Sequence, residues 1–254
     1  MEENTNPESD AFEKRVDLSR FKASLERVNE QIGSYIVGQG KAVELLQVAL
    51  IADGHVLIEG VPGIAKTQLA KLMARALDLD FSRVQFTPDL MPSDILGTSV
   101  YNQKQGEFEF KSGPVFSNVV LVDEINRAPA KTQAALFEVM EERQVTIDGH
   151  QHKMDEPYLI LATQNPIEQE GTYRLPEAQL DRFLFKISMD YPSLDEEFEI
   201  LKLHQSLQSK PEDMIQKALS KEDIQELRAT AKQIHIEEDI LRYIAAIVDA
   251  TRNQ

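Results

Sequence analysis

Gly60-Val61-Pro62-Gly63-Ile64-Ala65-Lys66-Thr67 is the stretch on which the reading of this chain turns. It follows a short apolar run, His55-Val56-Leu57-Ile58-Glu59, which reads as a strand. Beyond it, Thr67 to Leu77 carries Leu69, Leu72, Met73 and Leu77 at the spacing of one helical face. Strand, glycine-bearing loop and helix in that order make a phosphate cradle, because N–H groups at a helix N-terminus point at the ligand and favour negative charge. Lys66 would contact the β- and γ-phosphates, and the Thr67 hydroxyl would bind Mg²⁺. Pro62 stiffens the loop, while Gly60 and Gly63 permit backbone angles that other residues resist. The strict pattern has glycine immediately before the lysine. Here the residue is Ala65, which must avoid positive φ or accept strain.

A second apolar run, Val119-Val120-Leu121-Val122, ends in Asp123-Glu124. A run without a polar break fits a strand covered on both faces of a parallel sheet. Asp123 at its end can hold Mg²⁺ through water, and Glu124 can accept a proton from an attacking water or orient it. The plainer alternative is that both residues cap the helix beginning near Pro129; the cradle upstream favours the catalytic reading. A third run, Tyr158-Leu159-Ile160-Leu161-Ala162-Thr163, leads into Gln164-Asn165-Pro166. If the two strands are neighbours, the Asn165 amide lies beside the carboxylates, where it can hold the water and sense the γ-phosphate. Pro176 to Arg182 reads as a short helix before the strand Phe183-Leu184-Phe185-Lys186-Ile187. On such a helix Arg182 would ordinarily be a surface group paired with Glu177 or Asp181.

These segments, with Asp123-Glu124-Ile125-Asn126-Arg127 and Leu175-Pro176-Glu177-Ala178-Gln179-Leu180-Asp181-Arg182-Phe183, occur in the order seen in AAA+ ATPases. Their wording resembles the MoxR family, in the helix-2-insert branch related to the ATPase subunit of magnesium chelatase. The likeness is close from Ile36 to Ile187 and looser beyond. It implies a P-loop AAA+ fold binding ATP and Mg²⁺. Lys66 and Thr67 match the Walker A lysine and threonine, and the nucleotide contacts extend over Gly60, Pro62, Gly63, Ile64, Ala65 and Gln68. Asp123 and Glu124 match the Walker B pair, with Asp123 and Thr67 at the metal. Asn165 matches the first sensor. Arg182 matches the arginine finger, which in this superfamily reaches a neighbouring subunit's γ-phosphate. Ile36-Val37-Gly38-Gln39 resembles the segment lining the adenine pocket, giving Val37 and Gly38 as further nucleotide contacts. Ala65 is acceptable in this family.

The chain has 254 residues, enough for one large domain and a small one. No stretch reaches the length of apolar residues that a membrane span needs. Residues 1–15 read as a disordered acidic tail rather than a signal peptide, and there is no cysteine for disulfide or thiolate chemistry. A cytoplasmic setting is expected. The formal net charge is −16, from 27 basic and 43 acidic residues. No basic patch of the kind that phosphate backbones demand is present, so nucleic acid is not expected as a partner.

The amphipathic stretch Leu18, Phe21, Leu25, Val28, Ile32 predicts a helix ending at Gly33, and Lys41 to Asp53 a second one ending at Gly54. With a strand over Ser82 to Thr87, the count becomes five, alternating with helices: an α/β fold with a five-stranded parallel sheet. Ligands of such sheets bind at the C-terminal strand ends, where the candidate residues lie. Thr98 to Phe110 and Gln144 to His152 read as hairpins added to the sheet. By resemblance they would be inserted into a central pore, the alternative being β-ribbon cover. His150 and His152 are too few for a zinc site, and no metal beyond the nucleotide's Mg²⁺ is expected.

Residues 16–192 are thus read as the nucleotide-binding domain and 193–254 as the start of a helical lid, with helices at Leu194–Gln208, Lys221–Ile234 and Glu237–Asn253. The family's second-sensor arginine has no match before Gln254; Arg252 is too close to the end to stand in for it. The resemblance implies a ring of about six subunits that matures or activates partner complexes, often with a protein bearing a von Willebrand factor A domain. Two other functions remain open on sequence: the motor subunit of a metal chelatase, and a nucleotide-dependent scaffold with little turnover. Intact Glu124 and Asn165 weigh against the scaffold, which has no need to direct water.

Overall fold

A strand with no polar side chain is stable only where both its faces are covered, and Val119 to Val122 are all fully buried. The computed structural model describes residues 18–165, 173, 175–206 and 210–252. The acidic tail, Pro166 and the last residues of two expected helices lie outside them. In chain order come α1 (Ser19–Gly33), α2 (Gly40–Ile51), β1 (His55–Gly60), α3 (Lys66–Ala76), β2 (Phe81–Gln85) and α4 (Pro92–Leu96). Then follow β3 (Gly97–Asn102), β4 (Glu107–Ser112), β5 (Val119–Asp123), α5 (Ala130–Glu142), β6 (Gln144–Ile147) and β7 (His150–Lys153). The remainder is β8 (Leu159–Gln164), α6 (Glu177–Leu180), β9 (Phe183–Met189), α7 (Leu194–Ser206), α8 (Pro211–Met214), α9 (Lys221–Ala231) and α10 (Glu238–Arg252).

The sheet runs β2-β5-β8-β1-β9 with every pairing parallel. Parallel neighbours need crossovers, and the intervening helices supply them on both faces. One face packs on Leu69, Leu72 and Met73 of α3, with Val28 and Ile32 of α1 and Leu46 of α2 behind them. The other packs on Leu136, Phe137 and Met140 of α5, with Phe86 and Ile95. Burying each such side chain contributes about 1.5–3 kcal/mol, so the two clusters hold the strand ends rigidly in line.

The strand over Ser82 to Thr87 is displaced: it begins at Phe81 and ends at Gln85, because Pro88 and Asp89 have left the sheet for a turn. Both expected hairpins form, as separate two-stranded sheets β3-β4 and β6-β7. They touch through the His152 ring stacked on Phe110 at 4.0 Å. Tyr101 and Phe108 form an exposed aromatic pair on the first. After α7, Ile215, Leu219, Ile224 and Leu227 join the same apolar cluster as α1 to α3, whereas α10 is exposed along its whole length. Among the described residues no helix is long and apolar enough to cross a membrane.

Candidate functional site

Register decides what the strand ends bring together. Val122 lies opposite Ala162 between β5 and β8, and Glu59 opposite Gln164 between β1 and β8. The start of the cradle, the carboxylate pair and Asn165 therefore share one edge of the sheet. Asn165 directly follows β8 and is buried, so the two strands are neighbours as the asparagine reading required.

The cradle turns from β1 into α3 through Ala65, whose φ of 62° and ψ of 22° put it in the left-handed region. Of the two routes open to alanine, strain is the one taken, at about 1 kcal/mol. Lys66 opens the helix and folds back, its Nζ donating to the Gly60 carbonyl at 2.6 Å. Burial lowers its pKa, and the nearby Asp123 and Glu124 carboxylates partly oppose that. The ammonium thus lies within electrostatic reach of both acids. Thr67, next along α3, is half-buried.

Asp123 is almost fully buried, and both its oxygens have partners. Oδ2 accepts from Arg83 Nε at 2.6 Å, and Oδ1 accepts the Thr163 hydroxyl at 3.2 Å. The Thr163 oxygen in turn accepts the Glu124 N–H at 3.0 Å. Glu124 takes φ 57° and ψ 51°, again left-handed, and a short 3-10 turn over Ile125–Arg127 separates it from α5. The acidic pair is therefore not the cap of the next helix. Glu124 Oε2 accepts from Gln85 Nε2 at 2.9 Å and pairs with Arg127 Nε at 3.0 Å. Arg83, Gln85, Thr163 and Arg127 hold the two acids, and sequence reasoning assigned none of them a role. A polar residue on a strand carries no signal of its own until the register places it.

Arg182 departs from the plain alternative of a surface pairing within its own segment. The helix before it is a single turn that ends at Leu180, so its side chain is not paired with Glu177 or Asp181. It reaches α5 instead, donating to Glu141 at 2.8 Å and to the Phe137 carbonyl at 3.2 Å.

Beside the cradle opens a cavity of about 830 Å³, lined by Ile36, Val37, Pro62, Gly63, Ile64, Ala65 and Gln68 on one side. Tyr191, Pro192, Ile200, Leu203 and His204 close the other. A nucleoside fits such a volume. The far wall comes from a segment more than a hundred residues away in sequence, which nothing local announces. Gly38 does not line it: at φ 79° it turns the chain against the Glu196 carboxylate, where a Cβ would collide. For a metal, the Thr67 hydroxyl and the Asp123 carboxylate are hard oxygen donors that suit Mg²⁺; Asp123 Oδ2 would have to be shared with Arg83 or given up by it.

Comparison with known proteins agrees with this geometry. Residues 55–185 match the family described as ATPases associated with various cellular activities (AAA). The protein YeaC of Bacillus subtilis is 48% identical over 88% of this chain and 69% of its own length. The chaperone MoxR1 of Mycobacterium tuberculosis is 48% identical over 90% of this chain and 60% of its own. Protein MoxR of Methylorubrum extorquens is 35% identical over 69% of this chain and 52% of its own. The crystal structure of a candidate ATPase from Cytophaga hutchinsonii superimposes with a TM-score of 0.82 at 44% identity, over 97% of this chain and 73% of that one.

Proposed function

Since the chain belongs to the MoxR family of AAA+ ATPases, we propose that it binds Mg-ATP in the Gly60–Thr67 cradle and hydrolyses it to remodel partner proteins as a ring. The observation that supports this most is geometric: Lys66 opens α3 with its Nζ folded back on the Gly60 carbonyl at 2.6 Å, at the same sheet edge as Asp123 and Glu124. A cation so placed, at the N-terminus of α3, is what a triphosphate requires.

In this reading Lys66 leaves the Gly60 carbonyl for the β- and γ-phosphate oxygens. Gly60, Pro62, Gly63, Ile64 and Ala65 wrap the phosphates, Val37 and Gln68 border the base and sugar, and Gly38 shapes the turn that follows Val37 without touching the nucleotide. The Thr67 hydroxyl and the Asp123 carboxylate hold Mg²⁺, which when bound neutralises charge on the phosphate oxygens. Glu124 takes the proton of the attacking water, and Asn165 orients that water against the γ-phosphate. Arg182 acts on the γ-phosphate of the neighbouring subunit once assembly draws it from Glu141. Residues 16–192 serve as the motor domain and 193–254 as the start of its lid. The two hairpins project to a central pore, with Tyr101 and Phe108 exposed there. A client, brought by a partner with a von Willebrand factor A domain, is the object of the work. The relative named a chaperone, MoxR1, supports a protein client; the von Willebrand factor A partner rests on the family resemblance alone.

The test is the solution mass of Glu124→Gln, which holds ATP uncleaved, with and without Mg-ATP. Assembly into a ring of about six subunits is expected. A protein that binds ATP yet stays monomeric would overturn the shared site.

A further inference from the structure

The metal carboxylate already has a cation. Arg83 stands on β2, the edge strand of the sheet, and its Nε donates to Asp123 Oδ2 at 2.6 Å. Its Nη2 donates to Gln85 Oε1 at 3.3 Å, and Gln85 Nε2 donates to Glu124 Oε2. A row of contacts, Asp123 to Arg83 to Gln85 to Glu124, thus joins the two acids along the sheet edge. No step of hydrolysis uses Arg83.

We propose that Arg83 is a resident counter-ion of Asp123 that the metal of a bound Mg-nucleotide expels, so that metal loading also takes Arg83 away from Gln85. This rests on Asp123 being the metal carboxylate. The two Asp123 oxygens are not equivalent. Oδ1 faces Thr163, whose oxygen also receives the Glu124 N–H; turning the carboxylate would strand buried polar groups. We assign a divalent cation, or a water on it, to Oδ2, the oxygen that Arg83 holds, because its only other claimant among the described residues is a half-exposed side chain at the sheet edge. Two positive groups at one partly desolvated oxygen repel strongly. A guanidinium cannot escape by losing its proton, so it must move. Arg83 can do so: its side chain is 49% exposed, against 9% for Asp123, and among the described residues no strand pairs with the outer side of β2. The chain thereby keeps the carboxylate ordered and neutralised without nucleotide, and admits the metal only when phosphate oxygens add to its hold. Once Arg83 has left, the Gln85 carbonyl loses a partner, and its grip on Glu124 becomes adjustable.

The test uses Mn²⁺ alone as the probe, titrated into nucleotide-free protein and read by the electron paramagnetic resonance of the free ion. Arg83→Met should create a Mn²⁺ site about tenfold tighter than wild type offers there, the size expected for removing one charge-assisted contact. Arg83→Met/Asp123→Asn should lose that gain. Equal binding in wild type and Arg83→Met, or a gain that survives Asp123→Asn, overturns the proposal. A second measurement needs no variant: the ¹⁵N resonance of the Arg83 Nε–H in wild type holding adenylyl imidodiphosphate. It should hold its position in EDTA, then shift and exchange faster with water when Mg²⁺ is added. A resonance that Mg²⁺ leaves unmoved refutes the expulsion. Nucleotide binding once Mg²⁺ is present, followed in the same samples, separates the two claims: its absence sinks the cradle, whereas bound Mg-nucleotide with Arg83 unmoved sinks only this inference.

Discussion

Thr163→Val removes one oxygen from a buried site and changes the shape little. That oxygen donates to Asp123 Oδ1 at 3.2 Å and accepts the Glu124 N–H at 3.0 Å. Thr163 is 2% exposed, so water cannot replace it. Asp123 retains Arg83, but the Glu124 N–H is orphaned, and a buried group left without its partner costs about 1–3 kcal/mol. Glu124 also sits at φ 57°, a strained backbone that such contacts maintain at about 1 kcal/mol. The variant should lose about 2 kcal/mol in urea titration, which for a chain of this size lowers Tm by roughly 4–8 °C. Once free to leave the left-handed region, Glu124 moves its carboxylate, and a displacement of about 1 Å costs about 100-fold in turnover. ATP affinity should change little, because Lys66 and the cradle are untouched. Stability and turnover both at wild-type level would refute the claim that Thr163 positions the acidic pair.

Three more expectations follow from the same geometry. Ala65→Gly should raise stability by about 0.5 kcal/mol in urea titration, since relief of left-handed strain outweighs the flexibility glycine adds to the unfolded chain; a loss of stability would contradict the strain at φ 62°. Arg182→Ala should lower turnover while sparing ATP binding, and mixing it with Glu124→Gln subunits should restore activity at interfaces that join an intact acid to an intact arginine; no rescue in any mixture would leave Arg182 without a role in trans. His55 is held neutral, its pKa pushed down to about 3 by burial first and by Arg143 next. Below about pH 6.5 the unfolded chain binds a proton there that the folded chain refuses, so stability falls with pH by up to about 1.4 kcal/mol per unit from this residue. His55→Gln should flatten the fall between roughly pH 6.5 and pH 4; equal slopes would contradict it.

The strands were legible because burial on both faces excludes polar residues: Val119–Val122 could be little else. Long helices were legible from their apolar stripes, as with Phe21, Val28 and Ile32. Single turns such as Pro92–Leu96 and Pro211–Met214 are too short to show a period, and went unread. The cradle and both acids were visible because their chemistry is local to a few residues. The residues that hold the acids were not, since Arg83, Gln85 and Thr163 gain meaning only from parallel register. The plain alternative for Arg182, a surface group paired with Glu177 or Asp181, named the wrong partner for a related reason: sequence proximity favoured those two, while a helix of one turn handed the side chain to Glu141 on α5.

The account stands most directly on cleavage itself, measured as phosphate release under single-turnover conditions, with bound ATP measured in the same samples. Wild type should bind ATP and release phosphate, and Glu124→Gln should bind as tightly yet release it at least about 100-fold more slowly. Equal release from the two proteins, or no ATP bound by wild type, would contradict the assignment of this sheet edge as a hydrolytic site.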